Sequence, residues 1–95
     1  MVPGMNFERD SRKAETNLAK HGVNFGQARG AFSDPCAIDF ADDRQYYAEE
    51  RWVLLGMNGD RLLIVVYTIR GGKVRIISAR EAEPHERRKY HDQSS

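Results

Sequence analysis

Apolar positions follow a helical spacing in the first third of the chain and a strand spacing beyond it. Ala14 and Leu18 stand one turn apart, after Asp10 or Ser11 as a cap and before Gly22 as a left-handed stop, so a helix is predicted to about His21. Asn24 lies three residues before Gln27, as in a capping box, and Phe25, Ala28 and Phe32 keep helical spacing, which predicts a second short helix over 25–32. Ser33-Asp34-Pro35 ends it, because proline cannot continue a helix and its predecessor prefers extended backbone.

From there the period shortens. Residues 36–41 read as a strand that Asp39 weakens, 42–49 as a polar loop and 51–57 as a strand. Asn58-Gly59 is a hairpin signal, since both positions tolerate positive φ. Arg61 to Arg70 is β-branched and almost wholly apolar, which predicts a central strand buried on both faces, Tyr67 included. Gly71-Gly72 makes another tight turn. In the strand over 73–79, strict alternation puts Val74, Ile76 and Ser78 on one face and Arg75, Ile77 and Ala79 on the other. Pro84 suits the first turn of a last helix, from His85 to about Asp92. A short first strand over 5–8 completes the expectation. The predicted class is α+β, a small antiparallel sheet with two N-terminal helices and a C-terminal one, since two-residue turns cannot join parallel strands.

Ninety-five residues hold one domain, 1–95, with no repeat or long linker. An apolar fraction of 40% rules out a disordered chain. The longest apolar stretch, Leu62 to Tyr67, is far short of a membrane span, and no signal peptide opens the chain, so a soluble cytoplasmic protein is expected. Met5 is a candidate natural start. The single cysteine, Cys36, makes no internal disulfide and builds no zinc site alone, and no metal or other cofactor is expected. The net charge of +1 hides an asymmetry: residues 1–60 carry seven Lys/Arg against ten Asp/Glu, residues 61–95 eight against four. The second part is the half expected to meet a polyanion.

Candidate chemistry is spread thinly. Lys20-His21-Gly22 closes a helix, where a cation suits the carbonyl ends; alternatively His21 is an acid or base, the imidazole being the side chain whose charge changes nearest neutrality. Glu49-Glu50-Arg51 is either a solvated charge cluster or a carboxylate base beside a phosphate-binding arginine. Arg75 sits mid-strand among apolar neighbours, where an arginine pairs or binds something, and Arg80 leaves the same strand towards the last helix. The planar guanidinium fork suits phosphate. Arg87, Arg88 and Lys89 read first as a solvated helix face, and Tyr90 as a packing residue.

In this order the pieces resemble one family. Phe7, Asp10, Lys13, Asn17, Lys20-His21-Gly22-Val23, Phe25 and Ala28 look like the N-terminal signature of BrnT-like toxins. The match runs on through Phe32, Asp34-Pro35, Glu50-Arg51, Gly56, Leu62-Leu63, Val65-Val66-Tyr67-Thr68, Arg75 to Arg80, Glu86-Arg87-Arg88 and Tyr90, covering roughly 5–91. Arg9 stands where the family commonly has tryptophan. The resemblance implies a RelE/ParE-like fold and the toxin half of a type II toxin–antitoxin pair: a metal-independent ribonuclease that arrests growth by cutting cellular RNA. It also implies a BrnA-like ribbon-helix-helix antitoxin, autorepression at operator DNA through that partner, and a dimer of toxin–antitoxin pairs. On this reading Arg80 and Arg75 hold the phosphate with Arg51 in support. Glu50 is the candidate base and His21 the alternative base or the acid. Lys20 adds charge, Tyr90 is a candidate to stack on a base, and Arg88 to touch RNA. The alternatives are a toxin of the same fold with another target such as gyrase, and a non-catalytic antitoxin-binding corepressor.

Overall fold

The computed structural model describes residues 6–42 and 50–94; Met5, Glu49 and nearly all of the expected polar loop lie outside them. Three helices, α1 (Ser11–His21), α2 (Phe25–Ala31) and α3 (Pro84–Ser94), accompany four strands, β1 (Ile38–Ala41), β2 (Trp52–Asn58), β3 (Arg61–Arg70) and β4 (Lys73–Glu81). The strands form one antiparallel sheet in chain order, as tight turns require. No helix among the described residues is long and apolar enough to cross a membrane.

Local signals set the element ends. The Asp10 side chain caps α1 through the Lys13 amide, and Gly22 closes it at φ 70°. Asn24 and Gln27 form the full capping box of α2. Arg70 pairs with Lys73 around Gly71-Gly72, both at positive φ. The other hairpin is shifted by one: Asn58 pairs with Arg61, so Gly59-Asp60 form the turn and only Gly59 takes positive φ. The expected first strand is reduced to one parallel bridge, Phe7 to Val74, with the Glu8 amide donating to the Val74 carbonyl at 2.8 Å.

Both sheet faces are apolar, and each is covered by different helices. On one, α1 and α2 enclose Val23, Phe25, Ala28, Leu54, Leu63, Val65 and Ile76, with an edge-to-face series Phe7–Phe32–Tyr67 at 5.2 and 5.0 Å. α2 lies so close that a Cβ on Gly56 would meet the Ala31 carbonyl oxygen at 2.7 Å. On the other, α3 lays Tyr90 over Val53, Leu55, Leu62, Ile64 and Val66. Two aspartates serve buried tyrosines: Tyr67 donates to Asp39 at 2.7 Å, which accounts for an acid inside β1, and Tyr90 donates to Asp34 at 2.6 Å.

Strict alternation in β4 fails at one point. The register slips between Val66 and Tyr67, which pair with Ser78 and Ile76, so Ile77 is an extra residue, a β-bulge. Past it the faces exchange. Ala79 joins Val74 and Ile76 in the core under α1, Ile77 packs towards the α3 face, and Arg80 turns to that same face. Beside the bulge Asn17, not Leu18, is the α1 residue that points inward; Leu18 is 49% exposed. The Asn17 amide accepts from the Ala79 N–H at 3.0 Å and donates to the Ala79 and Val23 carbonyls at 2.9 and 2.8 Å. One side chain thus completes the outer edge of β4, beside which the described residues place no fifth strand.

Candidate functional site

The bulge and the Asn17 tie bring the end of α1 beside the end of β4. There an open groove of about 340 Å³ is floored by Phe40, Val53, Ile64 and Val66 and rimmed by His21, Asp42, Ser78, Arg80 and Glu86. His21 reaches it because α1 stops at Gly22 and its last side chain projects past the β4 edge. Arg80 reaches it because the bulge reverses the alternation.

Arg80 is held by α3. Its two terminal nitrogens donate to the two Glu86 carboxylate oxygens at 2.9 and 2.8 Å, and one of them also to the Glu81 carbonyl at 3.1 Å. Glu86 in turn accepts from the Glu83 amide at 2.8 Å, capping α3. Burial alone would raise the Glu86 carboxyl; the Arg80 and Glu83 hydrogen bonds and the Arg80 charge outweigh it and hold the group below its ordinary value. Glu86 is therefore ionised at neutral pH and a weak base. Its geometry suits aiming the guanidinium.

Glu83, His85 and Glu86 place ligand atoms within 4.8 Å of one another. Glu86 already faces Arg80 with both oxygens, and a cation added there would meet the guanidinium charge. The donor set fits a helix cap better than a metal centre.

The other expected site residues are placed elsewhere. Arg75 lies opposite Thr68 and Arg80 opposite Ile64, four residues apart on β3, or about 13 Å along the strand. Arg75 faces Glu8 at 3.8 Å and Asp10 at 3.6 Å, just ahead of α1. Glu50 is exposed at the Thr68 end of the sheet, where its carbonyl accepts from the Thr68 hydroxyl at 2.6 Å. Arg51 follows it, its carbonyl taking the Asp42 amide at 2.9 Å, and does not line the groove. Tyr90 is 7% exposed with its hydroxyl on Asp34, so its ring packs on the sheet and offers no face to a base. Arg88 is exposed on α3 and Lys20 on α1. Of the expected set, His21 and Arg80 meet. Glu86 received no role from the sequence; its place at the third position after Glu83, in a helix start, was the available signal.

Part of the basic second half is answered within the molecule. Arg61 pairs with Glu81 at 2.8 Å, Arg75 with Glu8 and Asp10, Arg80 with Glu86, and Lys89 lies 4.0 Å over the Phe40 ring.

A four-stranded antiparallel sheet clothed by helices on both faces, with an arginine, a carboxylate and a histidine around one open groove, defines a small α+β protein. The chain belongs to the BrnT family, ribonuclease toxins of type II toxin–antitoxin systems, whose family model matches residues 10–86. No curated protein matches it.

Proposed function

We propose that this chain is a metal-independent endoribonuclease that uses the RNA's own 2′-hydroxyl as nucleophile, acting in the groove between the end of α1 and the end of β4. The observation that carries this reading is that His21 and Arg80, 59 positions apart, line one open groove together with Ser78. Arg80 binds the scissile phosphate and offsets the charge that grows on it; Glu86 orients Arg80. His21 takes the 2′-hydroxyl proton as the new O–P bond forms. The P–O5′ bond breaks, and the departing 5′-oxygen takes a proton in turn from the solvent in the open groove. The products are a 2′,3′-cyclic phosphate and a 5′-hydroxyl. A ribbon-helix-helix antitoxin holds the enzyme in check and represses the shared operon with it. A RelE/ParE-like fold is part of the same reading.

One observation favours a second reading. Arg61, Arg75 and Arg80 each face a carboxylate, as a purely partner-binding corepressor would have them.

Incubation of the purified protein with RNA in EDTA, with end-group analysis, separates the two. Cyclic phosphate ends, with His21→Ala and Arg80→Ala each reducing turnover by roughly 10²-fold or more, support the enzyme. Arg80→Lys should recover only part, since a point charge lacks the fork. Strict Mg²⁺ dependence or 5′-phosphate ends refute the mechanism, and an inert protein that still represses with its antitoxin supports the corepressor.

A further inference from the structure

The groove does not end at His21. A second one, of about 310 Å³, continues from it along α1 and shares His21 and Ser78 with the first. Its walls are Arg12, Lys13, Thr16 and Lys20 on α1 and Ile77, the bulged residue, on β4. Positions 12, 16 and 20 repeat every four residues, so they form one stripe on the helix, with Lys13 beside it. Among the described residues no carboxylate forms an ion pair with Arg12, Lys13 or Lys20, unlike Arg61, Arg75 and Arg80. Three cations without an ion pair among the described residues thus lie together along α1, in the half of the chain that is acidic by composition.

Resting on the ribonuclease reading of the first groove, we infer that this second groove is a subsite for the single-stranded RNA flanking the cut, with Arg12, Lys13 and Lys20 on its phosphates and Ile77 against a base. Charge complementarity and continuity with the first groove favour this occupant. From Arg12 to Lys20 the helix rises about 12 Å. The contacts are with the backbone, so they set affinity and reach and carry no sequence preference.

The double variant Arg12→Gln/Lys13→Gln tests this, because both side chains are at least partly exposed and removing cations from the first turn of a helix does not weaken it. The first readout is binding of a 2′-O-methyl RNA 12-mer, which lacks the nucleophile, as a function of salt. The variant should bind roughly tenfold more weakly, and the slope of log K against log salt should fall in magnitude by about 1.4, two single-strand phosphate contacts. The second readout is cleavage of a 12-mer and of a dinucleotide. The 12-mer should be cut more slowly by the variant and the dinucleotide, too short to reach Arg12 and Lys13 at the far end of α1, at the wild-type rate. Unchanged 12-mer affinity and slope overturn the subsite. So does a variant that binds RNA normally but loses the antitoxin, which would make the stripe a protein-docking surface. If wild type cuts neither substrate, the ribonuclease reading fails while the binding readout still decides whether the stripe holds RNA.

Discussion

Asn17→Ala should be among the most damaging single substitutions in this fold. Asn17 is 5% exposed, and its amide satisfies three main-chain groups: the Ala79 N–H and the Ala79 and Val23 carbonyls. Truncation leaves all three without that partner, at about 1–3 kcal/mol for each buried group left unmade. The exposed flank of α1 lets water reach some of them, so the lower end applies and the loss is about 3 kcal/mol. A 95-residue domain has a total stability of roughly 5–14 kcal/mol. In urea, with an m-value near ~1.5 kcal/mol/M, the midpoint should fall by about 2 M at unchanged m. Thr16→Ala, one position away on the exposed side, is the control and should change stability by less than ~0.5 kcal/mol. Hydrogen exchange supplies the local check, since the Ala79 amide should lose protection before the rest of β4. A loss under ~1 kcal/mol with Ala79 still protected would mean that β4 does not depend on α1 for its edge, and the account of the groove's assembly would fall with it.

Other outcomes follow from particular contacts. Gly56→Ala should cost about 1–3 kcal/mol by thermal melt, because the new Cβ would meet the Ala31 carbonyl oxygen, main chain that cannot yield easily. Asp34 sits below its ordinary value: burial opposes this, but hydrogen bonds from Tyr90, Met57 and Cys36 outweigh it. Its contribution is present above the unfolded carboxylate range and lost as pH falls through the lowered folded value. Tyr90→Phe removes one of those bonds, so it should cost about 1–2 kcal/mol at pH 7 and progressively less in acid, measured by urea melts across pH. Tyr90 itself is pushed up to about 12 by burial and by Asp34, so the wild type should lose that contribution as pH rises from the usual tyrosine range through that value, and Tyr90→Phe should not.

Much of the frame was legible because its signals are local. Gly22 at a helix end, Asn24 with Gln27 and Gly71-Gly72 act within a few residues, and each does in the fold what the sequence implied. What depends on contacts between distant segments was not legible. Nothing around Ile77 marks a bulge, yet that one residue decides whether Ala79 or Arg80 faces the core. Asn17 reads as an ordinary polar helix position until Ala79 stands opposite it. Glu50 was the natural carboxylate beside an arginine in sequence, while Glu86 is the one that holds Arg80 in space. Charge totals by half gave no sign of the basic stripe on α1 for the same reason: pairing and placement within the fold, not composition, decide which cations stand together.

The tie between Asn17 and Ala79 also bears on when a growing polypeptide acquires its groove. A nascent chain that has emerged only as far as β3 already holds α1, α2 and His21, but it lacks Ala79 to receive Asn17 and Arg80 to line the groove. Closing that 62-residue separation is a non-local step, slower than forming the helices or either hairpin. During synthesis the groove that His21 and Arg80 line therefore arises late, after β4 has emerged and docked, and a fragment released before that point contains no assembled groove.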